Sequence, residues 1–173
     1  MDGAEAVREA YRAYYHRLVG QLYGLTGDLP EAQDVVHDAY ARALARPDRF
    51  LTIRDPEAWL RTVAMNRART RFRRRWVFDL LVKGGRVDRP AETVPGLGPD
   101  RVALVTALRK LSRPTREAIV LHHLADLPVA EVATALGVPV GTVKARLSRG
   151  RATLARELAD GSTVNTEVSI NHV

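Results

Sequence analysis

No cysteine occurs among the 173 residues of this chain. Disulfides, thiolate zinc sites and thiol redox sensing are therefore excluded. There is also no run of about 18 apolar residues, the length a membrane-spanning helix needs. The first residues, Met1-Asp2-Gly3-Ala4-Glu5, are acidic and carry no apolar signal core, which argues against secretion. These absences predict a cytoplasmic protein with no membrane span. Lysine is scarce, with 3 Lys against 24 Arg. That bias suits phosphate recognition, because a guanidinium fork binds phosphate through two hydrogen bonds.

What is present is a net charge of +7, unevenly spread. Residues 1–58 hold 7 basic and 10 acidic side chains. Residues 61–89 hold 10 basic side chains and only Asp79 and Asp88 as acids. Residues 140–156 hold five basic side chains and no acid. Two separate basic zones behind an acidic first segment point to a polyanionic partner met at two places.

Hydrophobic spacing is helical throughout, and no strand pattern or internal repeat competes with it. Tyr11, Tyr14, Leu18, Leu22 and Leu25 mark a first amphipathic helix over residues 4–25, stopped by Gly27. Asp28-Leu29-Pro30-Glu31 has the pattern of a capping box. The helix it opens turns Ala32, Val35, Val36, Ala39 and Ala43 inward and ends near Pro47. Residues 47–54, including Phe50, read as a loop. Asp55-Pro56 opens a third helix, running to about Leu81. Residues 83–99 are rich in glycine and proline and read as a linker. Extended, these 17 residues reach at most about 55–60 Å. A second helical block follows. The predicted fold is all-α: a helical domain over 1–81, a linker over 82–99, a second helical domain over 100–159, and a flexible tail over 160–173.

Residues 127–147, LPVAEVATALGVPVGTVKARL, have the pattern of a helix-turn-helix. Val129, Val132, Ala133 and Leu136 give the first helix a buried face, with Ala133 small at the crossing. Gly137 supplies the left-handed turn, Val138 plugs it, and Val140, Val143 and Leu147 anchor the second helix. Lys144, Ala145, Ser148 and Arg149 are left together on the face that would enter a major groove. Thr142, Arg146 and Arg151 are placed for phosphates, which fix position without reading sequence. A helical hairpin with solvated charges is the plainer alternative, but spacing, small residue, turn glycine and basic second helix all agree.

The other basic zone, Asn66-Arg67-Ala68-Arg69-Thr70-Arg71-Phe72-Arg73-Arg74-Arg75-Trp76, lies on the third helix. Six arginines in nine residues repel one another, so an anionic partner is expected. Arg67, Arg71 and Arg74 are read as one face. Phe72 is expected in the core, whereas Trp59 and Trp76 are open between core packing and stacking on exposed bases. Asp34, His37 and Asp38 share a helical turn, but two carboxylates and one imidazole are a thin metal set and a docking surface is the stronger reading. Adjacent His122 and His123 point about 100° apart on a helix and cannot form a paired metal site. They read as partly buried structural residues. No catalytic arrangement, cofactor motif or metal site is predicted.

The order of acidic helix, arginine-rich helix, linker and helix-turn-helix resembles the extracytoplasmic-function (group IV) sigma factors of the sigma-70 family. Residues 25–44, 55–75, 108–137 and 138–154 carry the resemblance. It implies an alternative, stress-responsive sigma factor, not an enzyme, that binds core RNA polymerase and directs promoter recognition, −10 melting and transcription initiation. Core docking, on the clamp helices of the largest subunit and the flap, would involve Asp34, Val35, His37, Asp38, Ala41 and Leu44. The −10 DNA would be met by Phe50 and the loop to Asp55, by Trp59, and by Asn66, Arg67, Arg69, Arg71, Arg73 and Arg74. The −35 DNA would be met by Thr142, Lys144, Ala145, Arg146, Ser148, Arg149 and Arg151. An anti-sigma factor is a further partner that the resemblance allows. His37-Asp38 stand where relatives commonly carry Gln-Glu, Pro128 where a capping Ser or Thr is usual, and Ala145 often where Ser stands.

Two rival readings differ in kind. A stand-alone LuxR-type regulator would share the recognition helix but needs an α/β sensor or ligand domain in its N-terminal half. A nuclease or integrase would need carboxylates clustered at the basic zones, and most acids lie elsewhere.

Overall fold

The computed structural model describes residues 2–82 and 98–170, with side chains through residue 160. Among the described residues there are eight α-helices, one π-helical turn and no strand. Residues 83–97, most of the expected linker, lie outside the described residues. The chain divides into two compact units, Met1–Glu92 and Thr93–Val173.

In the first unit α1 (Gly3–Thr26), α2 (Leu29–Leu44) and α4 (Pro56–Val82) pack together, with short α3 (Pro47–Leu51) across one end. The boundaries follow from local chemistry. Gly27 adopts the left-handed conformation (φ 70°), and its N–H donates to the Tyr23 carbonyl at 2.9 Å. Only glycine takes that conformation without steric cost. Asp28 then caps α2 by accepting from the Glu31 N–H at 2.8 Å. The capping box is only half made, because the Glu31 carboxylate turns to Arg75 and the Asp28 N–H takes the Thr26 hydroxyl at 3.3 Å. Asp55 caps α4 by accepting from the Ala58 N–H at 2.9 Å.

The core of this unit is narrow. Apart from Tyr40 at its α1 side, α2 presents small side chains inward: Ala32, Val35, Val36, Ala39 and Ala43 are all buried. Leu18 and Leu22 of α1 and Leu60 and Ala64 of α4 close over them. Tyr11 and Tyr14 do not join this core as their spacing suggested; Tyr11 is exposed and Val7 and Ala10 take the inward positions. The segment read as a loop over 47–54 contains α3, started by Pro47 at its first turn. Gly3 makes room for it: a Cβ there would run into the Pro47 backbone carbonyl.

α4 outruns its partners. It buries side chains only as far as Ala68. Phe72, expected in the core, is exposed, as are Trp76, Phe78, Leu80 and Leu81. A helix of 27 residues is on the order of 40 Å long, and the 16-residue α2 is too short to cover it.

In the second unit α5 (Pro99–Arg109), α6 (Arg113–Ile119) and α7 (Val129–Leu136) pack on α8 (Val140–Ile170). A π-helical turn, Val120–Leu124, follows α6. The core is built from Val105, Leu108, Ile119, Leu121, Val132, Val143 and Leu147. α8 runs on to Ile170, through the segment expected as a flexible tail. No proline interrupts residues 140–170; the weak points in that stretch are its three glycines, Gly141, Gly150 and Gly161, which lower the helix propensity but do not stop the helix.

Arg116, which the sequence pattern did not single out, ties α6 to the end of α5. Its guanidinium donates to the Leu108 carbonyl at 2.9 Å, to Arg109 at 3.2 Å and to Leu111 at 3.0 Å. These carbonyls lie at and just past the C-terminus of α5, where a cation is favoured. Burial, with Arg113 and Arg109 nearby, lowers its pKa from the ordinary guanidinium value. Arg116→Met keeps the apolar stem but removes these three hydrogen bonds. It is expected to cost about 2 kcal/mol of stability, read as a lowered midpoint in urea denaturation.

Candidate functional site

In the second unit the helix-turn-helix is α7, a turn and α8. Gly137 closes α7 in the left-handed conformation (φ 65°), and the Val138 N–H returns to the Ala133 carbonyl at 3.1 Å. Pro128 begins α7 with no side-chain cap. Its carbonyl takes the first helical bond, from the Val132 N–H at 3.0 Å. The inward side of α8 is Val143, Leu147 and Gly150, all buried. Val140, expected as an anchor, is exposed. Gly150 is the closest point of approach: a Cβ there would sit 2.7 Å from Ile119 Cγ1 and 3.0 Å from Thr115 Cγ2.

On the outward side Lys144, Ala145, Ser148 and Arg149 are exposed together. Arg151 is also exposed, and Thr142 and Arg146 are half-buried at the edges. The arrangement can place short and cationic side chains against base edges, with arginines flanking toward phosphates. In the preceding turn His122 is half-buried with Nδ1 2.8 Å from the Leu127 carbonyl, and its ring meets His123 edge-on. His123 is exposed, not partly buried as the sequence suggested. Asp126 adopts φ 55°, a conformation its short polar side chain tolerates.

In the first unit the outer face of α2 exposes Asp34, His37, Ala41 and Leu44 at i, i+3, i+7 and i+10. Leu44 is 53% exposed. Val35, assigned to this face from the resemblance, is 0% exposed and cannot touch a partner. Its position falls on the stripe of Ala32, Val36, Ala39 and Ala43, toward α1 and α4. The His37 ring stacks on Tyr15 at 5.2 Å and 20°. Tyr15 in turn stacks on Tyr11 at 4.6 Å, and Tyr11 lies edge-on to Tyr40 at 5.0 Å. The Tyr40 hydroxyl donates to the Ala10 carbonyl at 3.0 Å. Burial, then Tyr11, pushes the Tyr40 pKa above the ordinary phenol value. Burial does the same for Tyr15. This aromatic extension of the α2 face was missed, although the i, i+4 spacing of Tyr11 and Tyr15 places both on one side of α1.

Phe50, assigned to DNA, is 3% exposed and packs edge-on against Trp59 at 5.7 Å. It is the buried residue of α3; the exposed positions beside it are Leu51, Thr52, Arg54 and Asp55. Trp59 is half-buried. Asn66 is exposed and accepts from Arg69 at 3.3 Å.

The arginines of α4 separate into two faces. Arg67 and Arg71 turn toward α2, and Arg75 continues their row. Arg74 does not belong to that row. The row is the i, i+4 ridge from Arg67 through Arg71 to Arg75, marked by the α2 carboxylates that pair with it, whereas Arg74 lies with Arg73 beside Val77, Phe78 and Leu81 around a shallow apolar hollow. Among the described residues neither Arg73 nor Arg74 makes an ion pair. Arg61, counted with the basic zone, is spent in the core. It donates to Gln21 Oε1 at 3.0 Å and to Glu57 at 3.1 Å, and Glu57 also takes Arg17. The facing carboxylates of α2 therefore meet α4 within the molecule: Asp38 reaches Arg71 at 3.0 Å, Asp34 reaches it at 3.3 Å, and Glu31 takes Arg75 by both oxygens at 2.7 and 2.9 Å.

Comparison with known proteins bears on both units. Residues 10–77 match the family described as Sigma-70 region 2, and residues 101–154 that described as Sigma-70, region 4. The chain is 35% identical over 158 residues to the ECF RNA polymerase sigma factor SigL of Mycobacterium tuberculosis, covering 85% of this chain and 88% of that protein. It is 28% identical over 169 residues to the ECF RNA polymerase sigma factor SigW of Bacillus subtilis, covering 90% of each. Among solved structures, the sigma factor RpoE from Bartonella quintana, in complex with the anti-sigma factor NepR, matches with a TM-score of 0.75 and 25% identity over 88% of this chain and 96% of that one.

Proposed function

The chain belongs to the ECF RNA polymerase sigma factors, and from that premise we propose how its two units divide the work of promoter recognition. The protein directs promoter recognition by RNA polymerase; sigma factors are initiation factors, and we read this one as having no catalytic residue of its own. A LuxR-type regulator would need an α/β sensor in its N-terminal half. That half matches sigma region 2, and its described residues are helical.

The first unit, taken as residues 1–81, docks on core polymerase through Asp34, His37, Asp38, Ala41 and Leu44, with Tyr11 and Tyr15 extending that face. Its α4 holds the −10 strand through Asn66 and the arginines Arg67, Arg69, Arg71, Arg73 and Arg74, beside half-buried Trp59 and exposed Trp76. Melting is driven by binding: a flipped base costs a few kcal/mol, offset by stacking and phosphate contacts. The second unit, taken as residues 100–159, grips the −35 duplex with Lys144, Ser148 and Arg149 on bases. Thr142, Arg146 and Arg151 meet phosphates, and Ala145 makes an apolar contact. The stretch 82–99 joins the two. None of the described helices is long and apolar enough to cross a membrane, and the reading puts the protein in the cytoplasm with the polymerase. Because RpoE was solved with an anti-sigma factor, an inhibitor of that kind is a reasonable partner here too.

The single observation that carries this reading is the outward face of α8, where Lys144, Ser148 and Arg149 stand exposed on a helix anchored from behind by Val143 and Leu147. Core docking is tested with Leu44→Arg. Leu44 is exposed and forms no part of the α2–α4 ion pairs, so the fold is spared. The wild-type chain is expected to bind core polymerase and to start transcripts at new sites on genomic fragments. Leu44→Arg is expected to weaken core binding at least tenfold in pull-down titrations. Failure of the wild type to bind core, together with tight dimeric binding to a duplex palindrome alone, would overturn the assignment.

A further inference from the structure

The row of arginines on α4 already has an anion. Asp34 and Asp38 receive the Arg71 guanidinium at 3.3 and 3.0 Å, and Arg67 approaches Asp38 at 4.0 Å. At the far end Arg75 grips Glu31 with both nitrogens. The carboxylates at 31, 34 and 38 run up α2 as the arginines at 75, 71 and 67 run down α4, each about one turn apart. The two ends of this row differ. Glu31 is buried, so Arg75 cannot leave without stranding a carboxylate out of water. Asp34, Asp38, Arg67 and Arg71 are all more than a third exposed, and pairs of that kind exchange readily because water screens them.

Resting on the functional reading above, we propose that Asp34 and Asp38 are internal counter-anions that a DNA phosphate must displace from Arg71 and Arg67. The same two carboxylates lie on the face of α2 offered to the polymerase. A partner that seats basic side chains on Asp34 and Asp38 takes them away from α4 and leaves Arg67 and Arg71 open to the strand. Docking on α2 and DNA binding on α4 then reinforce each other through a shared set of ion pairs, and by linkage the reinforcement is equal in both directions. Arg75 stays on Glu31 throughout and fixes the two helices.

The test uses the full chain and a fluorescent single-stranded oligonucleotide read by anisotropy, without polymerase and then with saturating core. Asp34→Asn with Asp38→Asn removes the internal anions while keeping side-chain shape. Glu9→Gln with Asp48→Asn removes the same charge from exposed positions elsewhere and serves as the control. Without polymerase, the Asp34/Asp38 variant is expected to bind the strand about tenfold more tightly than wild type at low salt, the control no more than about twofold, and the difference to shrink as salt rises. With core, the wild type is expected to gain more affinity than the Asp34/Asp38 variant does. Equal tightening by the two variants sinks the competition while leaving the sigma reading intact. No strand binding by any form, even with core, removes the functional reading beneath it. A wild-type helical circular dichroism spectrum guards against a misfolded variant, and Asp38→Glu, which restores the anion, is expected to return the affinity toward wild type.

Discussion

Replacing Gly150 with leucine is expected to unfold the C-terminal unit. The α-carbon of Gly150 is pressed against α6, so even a methyl group would lie 2.7 Å from Ile119 Cγ1 and 2.9 Å from its Cδ1. Ile119 is itself 2% exposed and has no free volume into which to retreat. Overpacking a tight core by a methylene or two costs about 1–3 kcal/mol. An isobutyl group at this crossing exceeds that, so a loss of at least about 3 kcal/mol is expected. Alanine is the informative intermediate, because its overlap is partly offset by a gain of roughly 1 kcal/mol in helix propensity over glycine. Thermal melts followed by circular dichroism should show a lower midpoint for Gly150→Ala. For Gly150→Leu, part of the helical signal should be gone at 25 °C. A Gly150→Leu chain that melts with the wild type would show that α6 and α8 do not cross at this point.

The second large effect is on binding with the fold left intact. Lys144→Ala combined with Arg149→Ala removes two cations from the exposed face of α8 without touching Val143 or Leu147 behind it. A well-made base contact carries about 1–3 kcal/mol of discrimination, so affinity for a −35 duplex should fall by about two to three orders of magnitude. Sequence preference should relax at the contacted base pairs. Arg151→Ala should behave differently. If it meets phosphate, binding weakens evenly across sequences and the dependence on salt drops by about one charge. Duplex titrations at several salt concentrations separate the two patterns. An Arg149 variant that weakens all sequences equally would move that residue from base reading to backbone contact.

Much of this was legible in the chain because helix ends announce themselves locally. Gly27-Asp28, Asp55-Pro56 and Gly137 each combine a conformational requirement with a cap, and the helices start and stop at them. The exposed cluster of Lys144, Ala145, Ser148 and Arg149 follows from simple periodicity on one well-anchored helix. Matters that depend on a neighbouring element were harder to see. Periodicity could not say that α2 ends too soon to cover Phe72, nor that Pro47 would start a turn of helix and bury Phe50. The arginines of α4 looked like a surface waiting for an external anion because the acids that answer them lie more than 30 residues away in sequence. Gly150 carried one usable signal: it continues the inward series Val143, Leu147 at a position where a side chain would be expected. A glycine in that place marks close approach of a second helix.

The inward face of α2 has a further consequence for how such a chain can change over time. Alanine has no side-chain rotamers to lose, and valine has few. Apart from Tyr40, which is pinned to the Ala10 carbonyl, the helix is thus seated by a shallow stripe of short, stiff side chains that leave it little play. An added methyl on that stripe would lift the whole helix and carry Asp34, His37, Ala41 and Leu44 away from a fixed partner. The outward residues, by contrast, can be exchanged without disturbing the seat. Drift is therefore confined to one side of α2: its inner volume is frozen, while its outer chemistry stays free to follow whatever surface it must meet.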